Sequence, residues 1–176
     1  MIDWDEIVRR EGSAVWRTAY RLVRNRADAD ECYQETFLTA LELSNRQAVH
    51  NWPALLQRLA TNRSIDRIRK RLRRKVNEEI ADEELVSGVG DDPSQHAEAA
   101  EVASALRWAI AQLPQRQAEV FCLHELGDWS YQEIADQLGI TVNSVGVILH
   151  RTRQKLQQLL QMRNRLSTGM KRQRRA

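Results

Sequence analysis

A chain of 176 residues with 42% hydrophobic side chains can bury a core, and it is long enough for one domain or two small ones. Seven Gly, three Pro, scarce aromatics and an abundance of Ala, Leu, Glu, Arg and Gln favour helices over sheets, so an all-α fold is expected. The net charge is only +3, yet residues 51–75 hold nine bases and one acid while residues 76–101 hold nine acids and no Lys or Arg. That asymmetry points to a polyanionic partner for the basic segment and to a solvated linker where the acids gather.

The first helix is expected around Ile7, Val8, Ala14, Val15, Ala19, Leu22 and Val23, with Trp4 and Trp16 nearby. A break over residues 25–27 leads to a second helix from about Asp28 to Leu43, whose apolar side is read as Cys32, Phe37, Leu38 and Leu41. The third begins near Asn51-Trp52-Pro53, where Pro suits a first helical turn, and runs through Arg74. Trp52, Leu55, Leu56, Leu59 and Ala60 form one stripe on it. Ile65, Ile68 and Leu72 form another on the opposite side, so the buried face is expected to switch near residues 62–64, with a kink possible there. Arg63, Arg67, Lys70, Arg71 and Arg74 share one arc as a basic ridge.

Residues 77–96 combine an acid run with Ser-Gly-Val-Gly and Asp-Asp-Pro-Ser, which marks a linker between a first domain, 1–76, and a second, 97–162. Residues 163–176 form a basic tail, expected to fray beyond Leu166. Cys32 and Cys122 lie in apolar helical patterns and read as buried hydrophobes. The four His are scattered without metal-ligand spacing, so no metal, cofactor or catalytic residue is expected. No apolar run approaches the ~18 residues of a membrane span and no signal core follows the start, so a cytoplasmic protein without membrane insertion is expected.

The second domain carries the most specific pattern. Ser130 and Glu133 are spaced as a capping box before a short helix with Ile134, Ala135 and Leu138. Gly139 supplies a left-handed turn, Ile140 fills the corner, Thr141 caps the next helix, and Val145 and Ile148 face inward. That is the spacing of a helix-turn-helix. Its second helix would enter a DNA major groove with Thr141, Val142, Asn143, Ser144, Gly146 and Val147 near base edges. His150, Arg151, Arg153 and Lys155 would follow along phosphates. An ordinary helical hairpin that binds protein has the same core pattern.

Three stretches together resemble the sigma-70 family of RNA polymerase sigma factors, in its extracytoplasmic-function (ECF) group, over roughly residues 3 to 160. Residues 28–37, DADECYQETF, look like the acidic helix that docks on the β′ clamp helices of core RNA polymerase. Residues 59–69, LATNRSIDRIR, look like the segment that melts the promoter and reads the −10 element. LPQRQ at 113–117, LGDWSYQEIA at 126–135 and HRTR at 150–153 look like region 4, which reads the −35 element and meets the β flap. The resemblance implies two small helical domains joined by a flexible acidic linker, and a non-enzymatic initiation factor. Its partners would be core RNA polymerase, promoter DNA and an anti-sigma factor.

By that resemblance, Asp28, Asp30, Glu31, Gln34 and Glu35 would hold polymerase. Asn62, Arg63, Asp66, Arg67, Lys70, Arg71 and Arg74 would hold the −10 strand, with Asn62 and Asp66 offered to an unstacked base and residues 44–51 as the pocket's loop. Many relatives carry Lys and Arg in the recognition helix where this chain has Gly146 and Ile148, which puts its −35 preference in doubt. Other readings stand beside this one. The early acids also favour a helix macrodipole, and the basic ridge also suits a solvated face. A stand-alone helix-turn-helix regulator would use the same motif, usually as a dimer. A nucleic-acid enzyme has less support, since Asp66 is the only acid in the basic segment.

Overall fold

Asp3 opens the first helix by accepting from the Glu6 backbone N–H at 3.0 Å, which satisfies one otherwise orphaned donor. In the computed structural model, which describes residues 2–77 and 93–173, that helix is α1, Trp4–Val23. Arg24 then turns left-handed (φ 54°), and Asn25 caps α2, Arg26–Ser44, by accepting from Asp28 N at 2.9 Å. The break is therefore two residues, Arg24 and Asn25, narrower than the sequence suggests. Asn51 caps α3, Trp52–Asn77, through Ala54 N at 3.1 Å, with Pro53 in the first turn.

Two sequence expectations are corrected in these helices. No break interrupts α3, and its buried face crosses to the opposite side gradually, not abruptly at residues 62–64. Leu56, Ala60, Ser64 and Ile68 are all buried, with Leu72 partly so. They form an i, i+4 row that drifts smoothly around the helix, because four residues overshoot one 3.6-residue turn. Counting only apolar side chains hid one link of that row, the polar Ser64, which follows Ala60 of the expected stripe. The Ser64 hydroxyl is satisfied by donating to Ala60 O at 2.7 Å.

α2 likewise buries Ala29, Cys32, Thr36 and Ala40, not the larger side chains. Small residues let it approach α1 and α3 closely, and Phe37 is left partly buried beside Tyr33 at a ring distance of 5.0 Å. Leu38 and Leu41 face outward, 61% and 41% exposed.

The second half comprises α4 (Pro93–Ala111), α5 (Gln115–Glu125), α6 (Tyr131–Leu138) and α7 (Val142–Gln173). The linker expectation falls largely on residues 78–92, which lie outside the described residues; helix resumes at Pro93. Ile110, Leu113, Val120, Leu123, Ile134, Val145 and Leu149 form the core here, and that core is continuous with Ala19, Leu22, Ile65 and Ile68 of the first half. α7 carries helix to Gln173, further than the expected fraying point, since no Pro interrupts residues 142–173 and Arg, Met, Lys and Gln propagate helix well. Arg163 anchors this extension, lying 5.6 Å over the Trp108 ring and donating to Ser104 O at 3.3 Å.

Gly127 is fixed by space. A Cβ there would lie 2.7 Å from Leu123 O and 3.1 Å from Trp129 Cδ1. Gly127→Ala is expected to lower the melting temperature by several degrees, from a strain of about 1–3 kcal/mol, as read by circular dichroism. An unchanged melting temperature would mean that the α5–α6 turn is more pliant than this packing allows. Both cysteines are buried, and burial pushes the thiols up to about 11 for Cys32 and about 12 for Cys122, so they pack as inert hydrophobes. Among the described residues no helix is long and apolar enough to cross a membrane.

Candidate nucleic-acid interface

The basic ridge of α3 does not stand free. Arg67, whose side chain is only 13% exposed, pairs with Glu31, with Asp28 at 3.7 Å and with Glu35 at 3.8 Å. Arg71 meets Asp28 at 3.7 Å, and Arg63 donates to Thr39 Oγ1 at 2.8 Å. The acids that the sequence assigns to one partner thus neutralise part of the ridge it assigns to another. Adjacent segments gave no hint of this, because the acids come from α2. Lys70 and Arg74 remain exposed. With Asn25, Asp28, Arg67 and Arg71 they line a cleft of about 190 Å³.

On the outer side of α2, Glu31, Gln34, Glu35 and Leu38 form an exposed strip at i, i+3, i+4 and i+7 spacing. Leu38, expected from its helical pattern to be core, lies exposed among these polar side chains. Asp30 is turned toward α1 and accepts from Trp16 Nε1 at 2.7 Å.

Asn62 and Asp66 lie on a different side of α3, toward the second half. Asn62 donates to Glu119 Oε1 at 2.8 Å and accepts from Gln115 Nε2 at 3.1 Å. Asp66 is exposed and pairs with Arg69 at 3.6 Å. Arg69 also donates to Leu113 O at 2.8 Å, and Trp129 Nε1 donates to Gln57 Oε1 at 2.7 Å. Apart from the local Asp66–Arg69 pair, these contacts join residues more than forty positions apart, and the sequence held no signal for them.

The helix-turn-helix forms as expected. Ser130 N and Oγ donate to Glu133 Oε2 at 2.8 and 2.7 Å, and Glu133 N donates to Ser130 Oγ at 3.2 Å. The Ser130 hydroxyl and then its N–H hold the Glu133 carboxyl below the usual carboxylate range. Gly139 turns at φ 63°, and Ser144 N donates to Thr141 Oγ1 at 3.1 Å. Val145 is buried and Ile148 partly so; Leu149 and Thr152, absent from the expected core, are wholly buried.

The opposite face of α7 presents Asn143, Val147, His150 and Arg151 to solvent, flanked by exposed Thr141 and Val142. Ser144 and Gly146 sit half-buried at its margins. Arg153 is held by two hydrogen bonds to Glu125 Oε1 at 3.2 and 2.7 Å, which raise its pKa. A Cβ at Gly146 would meet Tyr131 Cε2 at 3.6 Å, an ordinary contact, and its φ is not left-handed. Gly146→Ala is therefore expected to stabilise the fold by about 1 kcal/mol, a rise of about 2–4 °C in melting temperature. A fall would show that Tyr131 cannot accommodate the methyl group. Among the described residues no group of three or more His, Cys, Asp or Glu converges as a metal site.

Residues 7–74 match the family model of sigma-70 region 2, and residues 103–156 match that of sigma-70 region 4. The ECF RNA polymerase sigma factor EcfG of Rhodopseudomonas palustris is 34% identical over 145 residues, covering 81% of this chain and 76% of that protein. The ECF RNA polymerase sigma factor SigE of Mycolicibacterium smegmatis is 31% identical over 160 residues, 91% of this chain and 62% of SigE. SigW of Bacillus subtilis is 28% identical, covering 83% and 82%. Among solved structures, the sigma factor RpoE of Bartonella quintana, in complex with the anti-sigma factor NepR, shares the fold at 21% identity and a TM-score of 0.52, covering 90% of this chain and 97% of RpoE.

Proposed function

The chain belongs to the sigma-70 family of RNA polymerase sigma factors, in its ECF group, and on that premise we propose that it binds core RNA polymerase and directs promoter-specific initiation through three separate surfaces. The family is non-enzymatic, so its work is recognition and positioning. The observation that carries this reading is the presence, on one chain, of a basic ridge on α3, a helix-turn-helix with an exposed recognition face on α7, and an acidic strip on α2.

The strip of Glu31, Gln34, Glu35 and Leu38 on α2, with Asp28 and Asp30 at its border, takes the β′ clamp helices: acids steer the approach and the leucine supplies apolar contact. α3 takes the −10 element. Arg63, Arg67, Lys70, Arg71 and Arg74 follow phosphates of the opened strand, and Asn62 and Asp66 meet a base edge beside the connection at 45–51. On α7, Asn143 and Val147, with Thr141 and Val142, read the −35 bases, while His150 and Arg151 hold phosphates. Ser144, Gly146 and Arg153 border that face. α4 and α5 meet the β flap. An anti-sigma factor is the expected inhibitor, as RpoE of Bartonella quintana is found with NepR. The site of action is the cytoplasm.

Run-off transcription with purified core polymerase tests this, on templates chosen by sequencing the DNA that co-purifies with the complex. Promoter-specific transcripts dependent on the chain are expected. Their absence, with tight duplex binding by a dimer of the chain alone, would favour a stand-alone regulator.

A further inference from the structure

The first two turns of α7, residues 142–149, carry no charged side chain. Val145 and Leu149 are wholly buried, and Ile148 packs partly buried against the same core. What remains toward solvent is an apolar and amide face. Val142 and Val147 each stand 40% exposed, and Val147 lies nearly opposite the buried side, at the centre of the face. Asn143, one turn before Val147, is exposed and offers both ends of its amide, whereas the Thr141 and Ser144 hydroxyls lie 2.8 Å apart and bond each other. Gly146, at the margin, adds no side chain to the face. Arg151 is its first cation, one turn beyond Val147.

We propose that α7 reads its −35 element through thymine methyl groups: Val142 and Val147 each meet a 5-methyl in the major groove, and Asn143 pairs with an adenine close by. This rests on the −35 assignment of α7 made above and names the bases it takes. The residue types leave few alternatives. Guanine is read by Arg or Lys and the cytosine amine by Asp or Glu, and residues 142–149 contain none of these. An amide reads adenine through N6 and N7, and an apolar side chain in the major groove has one apolar target, the thymine methyl. Both features belong to A·T pairs. The spacing agrees with this. Asn143 and Val147 lie about 6 Å apart along the helix, against a rise of about 3.4 Å per base pair, so they address pairs one or two steps apart. Valine reaches only one bond past its Cβ, so it touches a base only where the backbone comes close. Gly146 beside it leaves no bulk to hold the helix away. Valines left in water do little for the free chain, and covering them with methyls removes apolar surface from water on both partners.

The test is binding of the holoenzyme to a fluorescent promoter selected from a pool randomised over the −35 element, with each thymine of that element replaced in turn by deoxyuridine. The exchange removes one methyl and leaves every hydrogen-bonding atom of the base in place. One or two of the exchanges are expected to weaken binding about fourfold each, the effect of burying a single methyl, and the others to be silent. Val147→Ala is expected to bind the thymine and uracil forms of one such position alike, and Val142→Ala those of another. Both side chains are exposed, so both variants keep the fold. A selected element without thymine, silence at every exchange, or discrimination that survives in both valine variants overturns the methyl reading. Asn143→Ala and Arg151→Ala on the same promoter separate it from the assignment beneath it. If neither alters affinity or its dependence on the −35 sequence, α7 does not lie on that element and both readings fail. If either weakens binding while every uracil exchange is silent, only the methyl reading fails.

Discussion

Replacing Arg67, Lys70 and Arg71 together by Ala is expected to weaken promoter opening by the holoenzyme and to flatten its salt dependence by about two in log–log slope. The slope follows from counterion release, roughly 0.7 per phosphate neutralised on a single strand. Permanganate reactivity of the opened strand against salt concentration is the measurement, and an unchanged slope would remove these residues from the phosphates. Their unequal surroundings sharpen the expectation. Lys70 is exposed, so Lys70→Ala alone should remove its full share. Arg67 is held by Asp28, Glu31 and Glu35, and Arg71 by Asp28, so in the free chain part of their charge is already cancelled. The triple variant should therefore cost more in the holoenzyme, where polymerase competes for the α2 acids, than in the free chain.

What the sequence discloses and what it conceals divides along the range of the interaction. The capping box of Ser130 and Glu133 and the left-handed Gly139 span three or four residues each, so their physics is written in adjacent letters. Those local devices form as expected, and so do the three first-half helices. The gradual drift of the buried row of α3 was missed because Ser64 is polar, although its i, i+4 spacing with Leu56, Ala60 and Ile68 was there to be counted. The exposure of Leu38 was missed for the same reason: α2 buries small residues, and a leucine stripe looked like core. The partners of Arg67, and those of Glu119 on α3, lie 32 to 61 residues away along the chain, and a single acid on an amphipathic helix reads as surface. Only the packed helices bring such charges together, so pairings of this kind leave no local signature.

The strip on α2 makes the second large expectation, and it separates steering from holding. Leu38→Ala is expected to weaken core polymerase binding about tenfold, mostly by faster dissociation, since burying a leucine contributes about 1.5–3 kcal/mol when its pocket is dry. Glu31→Gln with Glu35→Gln is expected to slow association and reduce its salt dependence, because charges at the rim of an interface act mainly on the encounter. Neither change should lower helical content. Asn25, not an acid, caps α2, and Glu31 and Glu35 lie beyond the first turn where the macrodipole is felt; only Asp28 falls within it. Surface plasmon resonance with immobilised core polymerase resolves both rates. The acid pair has a second consequence that a purely helical role does not share. It strips Arg67 of two of its three partners, so the free chain should gain affinity for single-stranded DNA as it loses affinity for polymerase. Opposite shifts in the two affinities mean that one set of carboxylates serves polymerase and restrains the basic ridge in turn, whereas unchanged polymerase kinetics in both variants would put the docking surface elsewhere on the molecule.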